Sequence, residues 1–496
     1  MPCRAAAYQF RPPWRRSAGS VLGRPTVTTM RDAGRGSASP GEVRAGSVST
    51  DRIAYLGFLL ALVSFAAIRA LGVAVNAETA YRVGVGLLTF SIIVAIVRGG
   101  VQSWVFVITV ACVYPALTPW LARSVLGYRW YTGLQIPLQT VFYEGEPVLV
   151  AGLACSAMAF GLARPLRVIN APWVPVSMEW GHRAVAIAAA AGIGAMVFAY
   201  VTEPGGIVYF SSYAQIQSDH LKAVPFASGA WAVFACVGLY FWVQSLSAGS
   251  GIRVKWMQRW FWVSIGGSCL YLLLHAHRSE LLGFAFLMIG VSAGRIPRWK
   301  VVVAAGLLVV GLVVVGDIRS RVYSLDLGAD LGADAYALPG GPGNVSIGWV
   351  SEYWLLQSGR LHVWPGETYL GHLIRLPPSF LGLERPPTAY DYVDMYTPLI
   401  GGEYFLNEPM LNFGIAGIAF YIVVFVWVAR RAQLAVARGT LRGFVYGGTF
   451  MALIMRTLWY GIGALVKSEI VALLVVGALA LLWLTARQAR GRVGVA

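Results

Sequence analysis

Three arginines near the middle of the chain have the type and spacing expected of a phosphate-binding site. Arg278 lies in HAHRSE (275–280) between two apolar runs, and Arg319 and Arg321 follow the next apolar run in GDIRSRVYS (316–324). A guanidinium group binds phosphate oxygens in pairs and keeps its charge at any physiological pH. Together the three predict a seat for a phosphate or pyrophosphate. The alternative is that each extends towards lipid headgroups.

A second polar group precedes an apolar helix in GGEYFLNEPMLNFGIAGI (401–418). Pro409 suits the first turn of a helix, so Glu403, Asn407, Glu408 and Asn412 stand at its beginning. Acidic and amide side chains there can cap the helix N-terminus. Alternatively, Glu403 or Glu408 acts as a general base at the membrane surface.

Four histidines are further candidates for that base. His372 and His362 lie in the long polar segment that precedes the same apolar helix. His275 and His277 are weaker candidates, because a histidine beside an arginine is more often a hydrogen-bonding strut. The choice among the carboxylates and the histidines stays open at this point.

One arginine falls inside an apolar run, Arg456 in TFMALIMRTLWYGIG (449–463). A charge in the middle of a bilayer costs at least about 3 kcal/mol, so this side chain must face protein or water. Glu469, reached by a short turn through Lys467, is the predicted partner. A structural ion pair and a further phosphate contact are both consistent with this position. Arg69, near the outer end of the first apolar run, raises the same question.

The elements that must hold these residues are membrane helices. The chain has 496 residues, of which 57% are hydrophobic and only 12% charged, against roughly 25% charged in an ordinary soluble domain. Runs such as VVVAAGLLVVGLVVV (301–315) approach the ~20 apolar residues that cross a bilayer as a helix. The five cysteines stand singly, with no metal-ligand spacing. The composition therefore predicts an all-α, polytopic transmembrane protein with no metal site.

Hydropathy predicts about twelve transmembrane spans. They lie near 53–75, 83–97, 101–118, 147–163, 183–202, 226–246, 260–275, 281–295, 300–316, 409–428, 443–464 and 469–486. The resulting domain organisation has a disordered, Arg-rich cytoplasmic tail (1–52), nine spans (53–316), one large outward loop (317–408), three more spans (409–486) and a basic cytoplasmic tail (487–496). Met30 is an alternative start of translation within the first tail.

The charges between the predicted spans indicate the orientation. With a cytoplasmic N-terminus, about two thirds of the 39 Lys and Arg residues fall on the cytoplasmic side. Of the 22 acidic residues, only Asp32, Glu42, Asp51 and Glu179 fall there. Positive charge is retained on the cytoplasmic side of membrane proteins. The asymmetry therefore predicts N-in, C-in topology and accounts for most of the net charge of +17 without nucleic acid.

The long outward loop is some ninety residues, far more than a helix connection needs. It is rich in Trp and Tyr, and SEYWLLQSG and GETYLGHLIRL have helical spacing of their apolar residues. We expect a folded cap with short amphipathic helices on the outer leaflet. No matched pair of Gly- or Pro-broken spans is evident, which argues weakly against a transporter.

The layout resembles the Wzy-like oligosaccharide repeat-unit polymerases, in the superfamily that also contains the O-antigen ligases. The resemblance covers roughly 53–486 and depends on short motifs: the Arg in HRSE, the arginines in DIRSR, the GETYLGHLIRLPPSF stretch in one large outward loop, and the NEPMLNFGIAGI exit. These motifs do not separate polymerase from ligase.

The resemblance implies a metal-independent glycosyltransferase of the bacterial cytoplasmic membrane, without a cofactor. Its substrate would be a polyprenyl-pyrophosphate-linked oligosaccharide, and a chain-length regulator would be a partner protein. Arg278, Arg319, Arg321 and Arg456 would then hold the pyrophosphate, and Glu403, Glu408 or His372 would activate the acceptor hydroxyl. Trp354, Tyr404 and Asn407 are the predicted sugar contacts, although aromatic residues also form interfacial belts.

Two other classes of function stay open. A transporter or flippase of lipid-linked glycans would need polar groups along a path at midplane depth. A non-catalytic scaffold of an envelope-assembly complex would use the folded loop to bind a partner protein.

Overall fold

The computed structural model describes residues 45–101, 103–126, 145–163, 176–202, 224–247, 251–274, 278–292, 297, 299, 300, 303, 342–374 and 403–493. The chain divides into Met1–Ala45 and Gly46–Ala496, and apart from Ala45 every described residue belongs to the second unit. These residues are all-α, as predicted. The helices are α1 Ala45–Ala70, α2 Ala77–Gly99, α3 Trp104–Leu126, α4 Glu146–Ala163, α5 Met178–Thr202, α6 Val224–Ser247, α7 Ile252–Leu274, α8 Arg278–Ser292, α9 Pro342–Gln357, α10 Glu367–Ile374, α11 Asn407–Ala437 and α12 Leu441–Val493.

Six helices in the described part of the chain are long and apolar enough to cross a membrane. These stretches are Thr50–Ala70, Ala77–Gly99, Glu146–Ala163, Met178–Phe198, Ser228–Leu246 and Asn407–Ala437, and each coincides with a predicted span. Trp104–Leu117 and Glu280–Val291 are shorter apolar helices at two more predicted spans. The predicted span 300–316 lies almost wholly outside the described residues. A total of twelve spans therefore stays a prediction.

Both ends of α2 follow local capping chemistry. The Asn76 side chain accepts a hydrogen bond from the Thr79 amide at 3.0 Å, and α2 begins at the next residue after Asn76. At the other end Gly100 has φ 77° and donates its amide to the Ile96 carbonyl, the left-handed conformation that glycine adopts without strain. Capping therefore makes α2 longer than the predicted span 83–97.

Small residues let the helices approach closely. A Cβ added at Gly84 of α2 would lie 2.6 Å from the Leu149 amide nitrogen of α4. The Ser91 and Ser156 hydroxyls of the same two helices are 2.9 Å apart. The helix α6 is almost completely buried over its described side chains and packs against α5, α7 and α12. Close contact through small and hydroxyl residues is the common way in which membrane helices associate.

Two helices near the C-terminus are broken by glycine. Gly414 (φ 64°, ψ −161°) interrupts α11, and Gly461 (φ 75°, ψ 172°) interrupts α12. Backbone breaks at membrane depth occur where the chain is buried in protein or lines a cavity. The sequence placed the boundary between the last two spans at a turn through Lys467, but residues 462–493 are helical and the interruption is at Gly461.

The predicted outward loop contains α9 and α10, and they differ. The helix α10 is amphipathic as predicted, with Leu370, Leu373 and Ile374 exposed and Thr368 and Gly371 buried. In contrast, α9 is buried on most of its surface, including Trp349 and Tyr353, and packs against α3, α4 and α11. It is thus a core element of the bundle.

The contact between α8 and α12 can be tested with one methyl group. A Cβ added at Gly283 would overlap the Ala452 carbonyl oxygen, so Gly283→Ala is expected to lower the free energy of unfolding by about 1–3 kcal/mol. Thermal unfolding of the purified protein in detergent measures this. Gly266→Ala on α7, where an added Cβ meets nothing within 4 Å, is the matched control. Equal melting temperatures for the two variants would contradict the close approach.

Candidate active site

The segment 403–412, hereafter the loop exit, is fixed to α12 by its backbone. The Glu403 amide donates to the Trp459 carbonyl at 2.9 Å, and the Phe405 amide donates to the Leu458 carbonyl at 3.2 Å. These carbonyls belong to the turn just before the break at Gly461. The break thus leaves room for the loop exit, and the loop exit supplies hydrogen bonds to the turn that precedes the break.

Glu403, one of the predicted bases, lies directly against that break. A Cβ added at Gly461 would be 2.6 Å from the Glu403 Oε2 atom. Gly461 also has a left-handed φ of 75°, which side chains other than glycine adopt only with strain. Glycine is required here both for the backbone conformation and for the space that the 6%-exposed Glu403 occupies.

Glu408 is the centre of a hydrogen-bonded group that joins α10 to α11, hereafter the Glu408 cluster (Glu408, Thr368, His372 and Asn412). Its Oε1 atom accepts from the Thr368 hydroxyl at 2.8 Å and lies 2.6 Å from His372 Nε2. Asn412 Nδ2 donates to the Thr368 hydroxyl at 2.6 Å and to the Glu408 carbonyl at 2.8 Å. The sequence predicted Glu408 and His372 as competing bases, and they form a pair.

Burial divides that pair into an inner and an outer member. The Glu408 side chain is 2% exposed and the His372 side chain 13%. When His372 Nε2–H donates to a carboxylate, the other ring nitrogen, Nδ1, is left to accept a proton. A histidine oriented by a buried carboxylate is the arrangement that general-base catalysis uses in hydrolases. His362, the other candidate base in this segment, is exposed and precedes His372 by ten residues.

Glu352 of α9 completes the buried polar group, and sequence analysis missed it. It is fully buried, and its Oε2 atom accepts from Asn407 Nδ2 at 2.8 Å. The pKa of the Glu352 carboxyl lies well above its ordinary value, mainly because the side chain is buried. The hydrogen bond from Asn407 lowers this pKa, and the nearby Glu408 charge raises it further. Burial also raises the pKa of Tyr369, with Glu408 as the next cause.

The three predicted sugar-contact residues differ in their exposure to solvent. Tyr404 is 1% exposed, and its hydroxyl donates to the Cys112 carbonyl at 2.6 Å. Asn407 is fully buried beside Glu352. Trp354 is partly exposed, with the Arg360 guanidinium 4.8 Å from its ring centroid. Of the three, only Trp354 presents a surface on which a sugar ring could stack without rearrangement.

Arg456 pairs with the glutamate of HAHRSE. Its Nη1 atom contacts Glu280 Oε1 and lies 3.2 Å from the Ser228 hydroxyl, so the pair ties α12 to α8 and α6. The ion pair that the structure shows is therefore with Glu280, and the side chain of Glu469, the predicted partner, lies outside the described residues. The two partners are 176 residues apart, a separation at which sequence spacing carries no signal.

The other members of the predicted arginine site fall at or beyond the edge of the described residues. Arg278 is the first residue of α8, and its side chain lies outside them. His275, His277, Arg319 and Arg321 lie outside them altogether. The convergence of the three arginines stays a prediction.

Arg69 has a structural role. Its Nε atom lies 3.2 Å from Glu146 Oε2, and its Nη2 atom donates to Gln357 Oε1 at 3.0 Å. Glu146 Oε2 also accepts from the Tyr353 hydroxyl at 2.7 Å. These bonds fasten both ends of α9's final turn to α1 and α4, and so hold Glu352 in place.

The described part of the chain contains no group of three or more His, Cys, Asp or Glu side chains arranged to hold a metal ion. The sequence matches no protein-family model, and comparisons with curated proteins and with solved structures gave no match. The chemistry of the loop exit and α10 is therefore the main guide to function.

The Arg456–Glu280 pair gives a testable prediction. Arg456→Ala is expected to destabilise the protein by about 3–5 kcal/mol, because a buried carboxylate loses its cation. Glu280→Ala combined with Arg456→Ala is expected to recover at least half of that loss, as neither charge is then buried alone. Unfolding of the two single variants and the double variant in detergent measures the coupling. Simple addition of the two single losses would contradict the pairing.

Proposed function

We propose that this protein is a membrane glycosyltransferase that polymerises polyprenyl-pyrophosphate-linked oligosaccharide repeat units on the outer face of the bacterial cytoplasmic membrane. The observation that carries the proposal is the pair of His372 Nε2 and buried Glu408 Oε1 at 2.6 Å. It supplies an oriented base at the end of the predicted outward loop. The resemblance to the Wzy-like polymerases supplies the substrate class.

The proposed reaction needs this base and cationic groups that stabilise the negative charge on the leaving group. His372 Nδ1 takes the proton of the acceptor hydroxyl as its oxygen attacks the anomeric carbon of the donor sugar. The bond between that carbon and the pyrophosphate oxygen breaks, and the electron pair leaves with the polyprenyl pyrophosphate. Arg278, Arg319 and Arg321 stabilise the charge that develops there. The chemistry needs no metal ion.

The exposed face of α10 suits a lipid-linked substrate. Leu370 and Leu373 are 57% and 58% exposed, and Trp364, just before the helix, is 80% exposed. Apolar side chains of this kind on a short amphipathic helix lie in the interface of a membrane. His372 is on the same helix, so a sugar attached to a lipid carrier in the outer leaflet reaches the base without leaving the membrane surface.

The proposal includes the predicted orientation, with both termini in the cytoplasm and the segment 317–408 outside. A chain-length regulator is the proposed partner protein. An O-antigen-ligase-type transferase would use the same base and the same leaving group with a different acceptor. The product in cells separates these two activities.

The broken helices favour a second candidate function, transport of a lipid-linked glycan. Gly414 and Gly461 interrupt two successive helices, and discontinuous helices form the binding sites of many transporters. The Arg456–Glu280 pair near Gly461 would then be a polar group on the path. A transporter moves the substrate and forms no glycosidic bond, which separates it from the first proposal.

His372→Ala and Glu408→Gln are expected to lower polymer synthesis at least 100-fold at normal protein abundance, since general-base catalysis contributes about 10²–10⁴-fold. The assay expresses each variant in a strain lacking the protein and separates the surface glycan on a gel. His362→Ala, exposed in the same segment, is the matched control and retains wild-type chain lengths. Loss of long chains with single repeat units retained indicates a polymerase, and loss of all attached glycan a ligase. Full chains from His372→Ala would contradict the proposed base.

Arg278→Ala, Arg319→Ala and Arg321→Ala test the pyrophosphate seat separately. Each is expected to abolish long chains, and lysine at the same position is expected to restore them poorly, because a single ammonium group cannot bind phosphate oxygens in pairs. Arg82→Ala is the control, since Arg82 is an exposed arginine paired with Glu78 on its own helix. Unchanged glycan ladders in all three variants would remove the arginines from the mechanism.

A further inference from the structure

The contact between Glu352 and Asn407 has an imbalance of donors and acceptors. Asn407 Nδ2 donates to Glu352 Oε2 at 2.8 Å. The other atom of each group, Glu352 Oε1 and Asn407 Oδ1, is buried and has no hydrogen-bond partner among the described residues. When the carboxyl is ionised, both of these atoms are acceptors. A single proton on Glu352 Oε1 would make that atom a donor, and a hydrogen bond from it to Asn407 Oδ1 would give both atoms a partner.

A carboxylic acid and a primary amide are complementary in both directions. The acid accepts through one oxygen and donates through the other, and the amide donates through nitrogen and accepts through oxygen. With its proton, Glu352 can accept from Asn407 Nδ2, as observed, and donate to Asn407 Oδ1. Without that proton, the Glu352 carboxylate would carry a negative charge at 0% exposure. Its one hydrogen-bond donor among the described residues would be the neutral Asn407 amide, and a buried charge with so little compensation is costly.

Glu408, a neighbouring buried carboxyl, has a different set of partners. Its Oε1 atom accepts from the Thr368 hydroxyl at 2.8 Å and lies 2.6 Å from His372 Nε2, and its Oε2 atom is buried with no hydrogen-bond partner among the described residues. One oxygen of Glu408 thus faces a hydroxyl and an imidazole, whereas Glu352 has a single amide donor, and burial of Glu352 with that one donor favours its neutral form. Two neighbouring carboxyls in such different settings divide into one acid and one base.

We propose that Glu352 is held as a neutral carboxylic acid, paired with Asn407 in both directions, and that it is a positioning residue that keeps Glu408 as the ionised partner of His372. The second half of this statement rests on the proposed function. Two negative charges at Glu352 and Glu408 would repel each other, so one of the two carboxyls keeps a proton, and a proton on Glu352 leaves Glu408 free to accept from the histidine. The neutral Glu352 also joins α9 to the first residue of α11.

The titratable groups around Glu352 are consistent with a protonated Glu352 carboxyl. Titratable side chains of the described residues on the elements packed around it are Cys112, Tyr114, Glu146, Cys155, Tyr353, Glu367, Tyr369, His372, Glu403, Tyr404, Glu408, Tyr421, Arg430 and Arg431. Glu408 is the charged group that acts on Glu352, and its charge has the same sign. Arg69, an arginine of the described residues on an adjoining helix, is bound to Glu146 and Gln357.

Stability should depend on pH through this residue. The pKa of Glu352 is raised in the folded protein above its ordinary value of 4.5. Its contribution to stability is therefore complete below about pH 4.5 and is lost as the pH rises through the folded value. Glutamine has the shape of the protonated acid and cannot ionise, so it should reproduce the contact at every pH.

The experiment compares the full-length wild type, Glu352→Gln and Glu352→Ala in lipid nanodiscs by thermal unfolding from about pH 5 to pH 9. We expect Glu352→Gln to match the wild type at the acidic end and to lose less stability at the alkaline end. Glu352→Ala should melt several degrees lower at every pH. Glu78→Gln, an exposed glutamate, is the control and should follow the wild-type profile. If Glu352→Gln is as unstable as Glu352→Ala at all pH values, Glu352 is ionised and the proposal is overturned.

The pH profile of polymer synthesis tests the positioning role. The wild-type rate should fall at alkaline pH, and in Glu352→Gln this fall should move to higher pH. An unchanged profile together with the expected unfolding data would overturn the positioning role and leave the proton assignment. A wild type that unfolds as expected but forms no polymer would overturn the proposed function alone. Stabilisation of the wild type, but not of Glu352→Gln, by added calcium or sodium would overturn the proton in favour of a bound cation.

Discussion

The arrangement depends on one constraint, which is that the polar groups at the start of α11 must find their partners inside the protein. Glu403, Asn407, Glu408 and Asn412 are all at most 6% exposed. A buried polar group without a partner costs about 1–3 kcal/mol. Asn407 bonds to α9, Glu408 and Asn412 bond to α10, and the Glu403 and Phe405 backbone amides bond to α12, and these bonds fix where the predicted outward loop returns to the bundle.

The sequence was enough to predict a helix that starts near Pro409, but it did not predict the partners of the polar side chains there. An acidic and amide-rich stretch ahead of Pro409 predicted a helix start, and α11 begins at Asn407. Local reasoning offered Glu408 as a cap or a base and His372 as a rival base. The structure instead pairs them across α10 and α11. Two residues so far apart in sequence give no periodic signal of such a pairing, so the choice between them could not be made in advance.

Long-range partners account for the other differences. Glu352 was missed because SEYWLLQSG has the pattern of a surface helix, whereas Arg69, Glu146 and Tyr353 bind α9 into the core. Arg456 was correctly predicted to need a partner, and that partner is Glu280 on another helix. The six candidate spans were found accurately because apolar length is a local property. The break at Gly461 was missed because single glycines are common in membrane helices.

The central claim is that the His372–Glu408 pair makes glycosidic bonds between lipid-linked repeat units. The most direct measurement uses the purified protein in liposomes with a labelled polyprenyl-pyrophosphate-linked repeat unit, and follows both chain growth and release of polyprenyl pyrophosphate. The account predicts one pyrophosphate carrier released for each bond formed, without added metal. Movement of the labelled lipid across the bilayer with neither polymer nor released carrier would contradict it and would indicate a transporter.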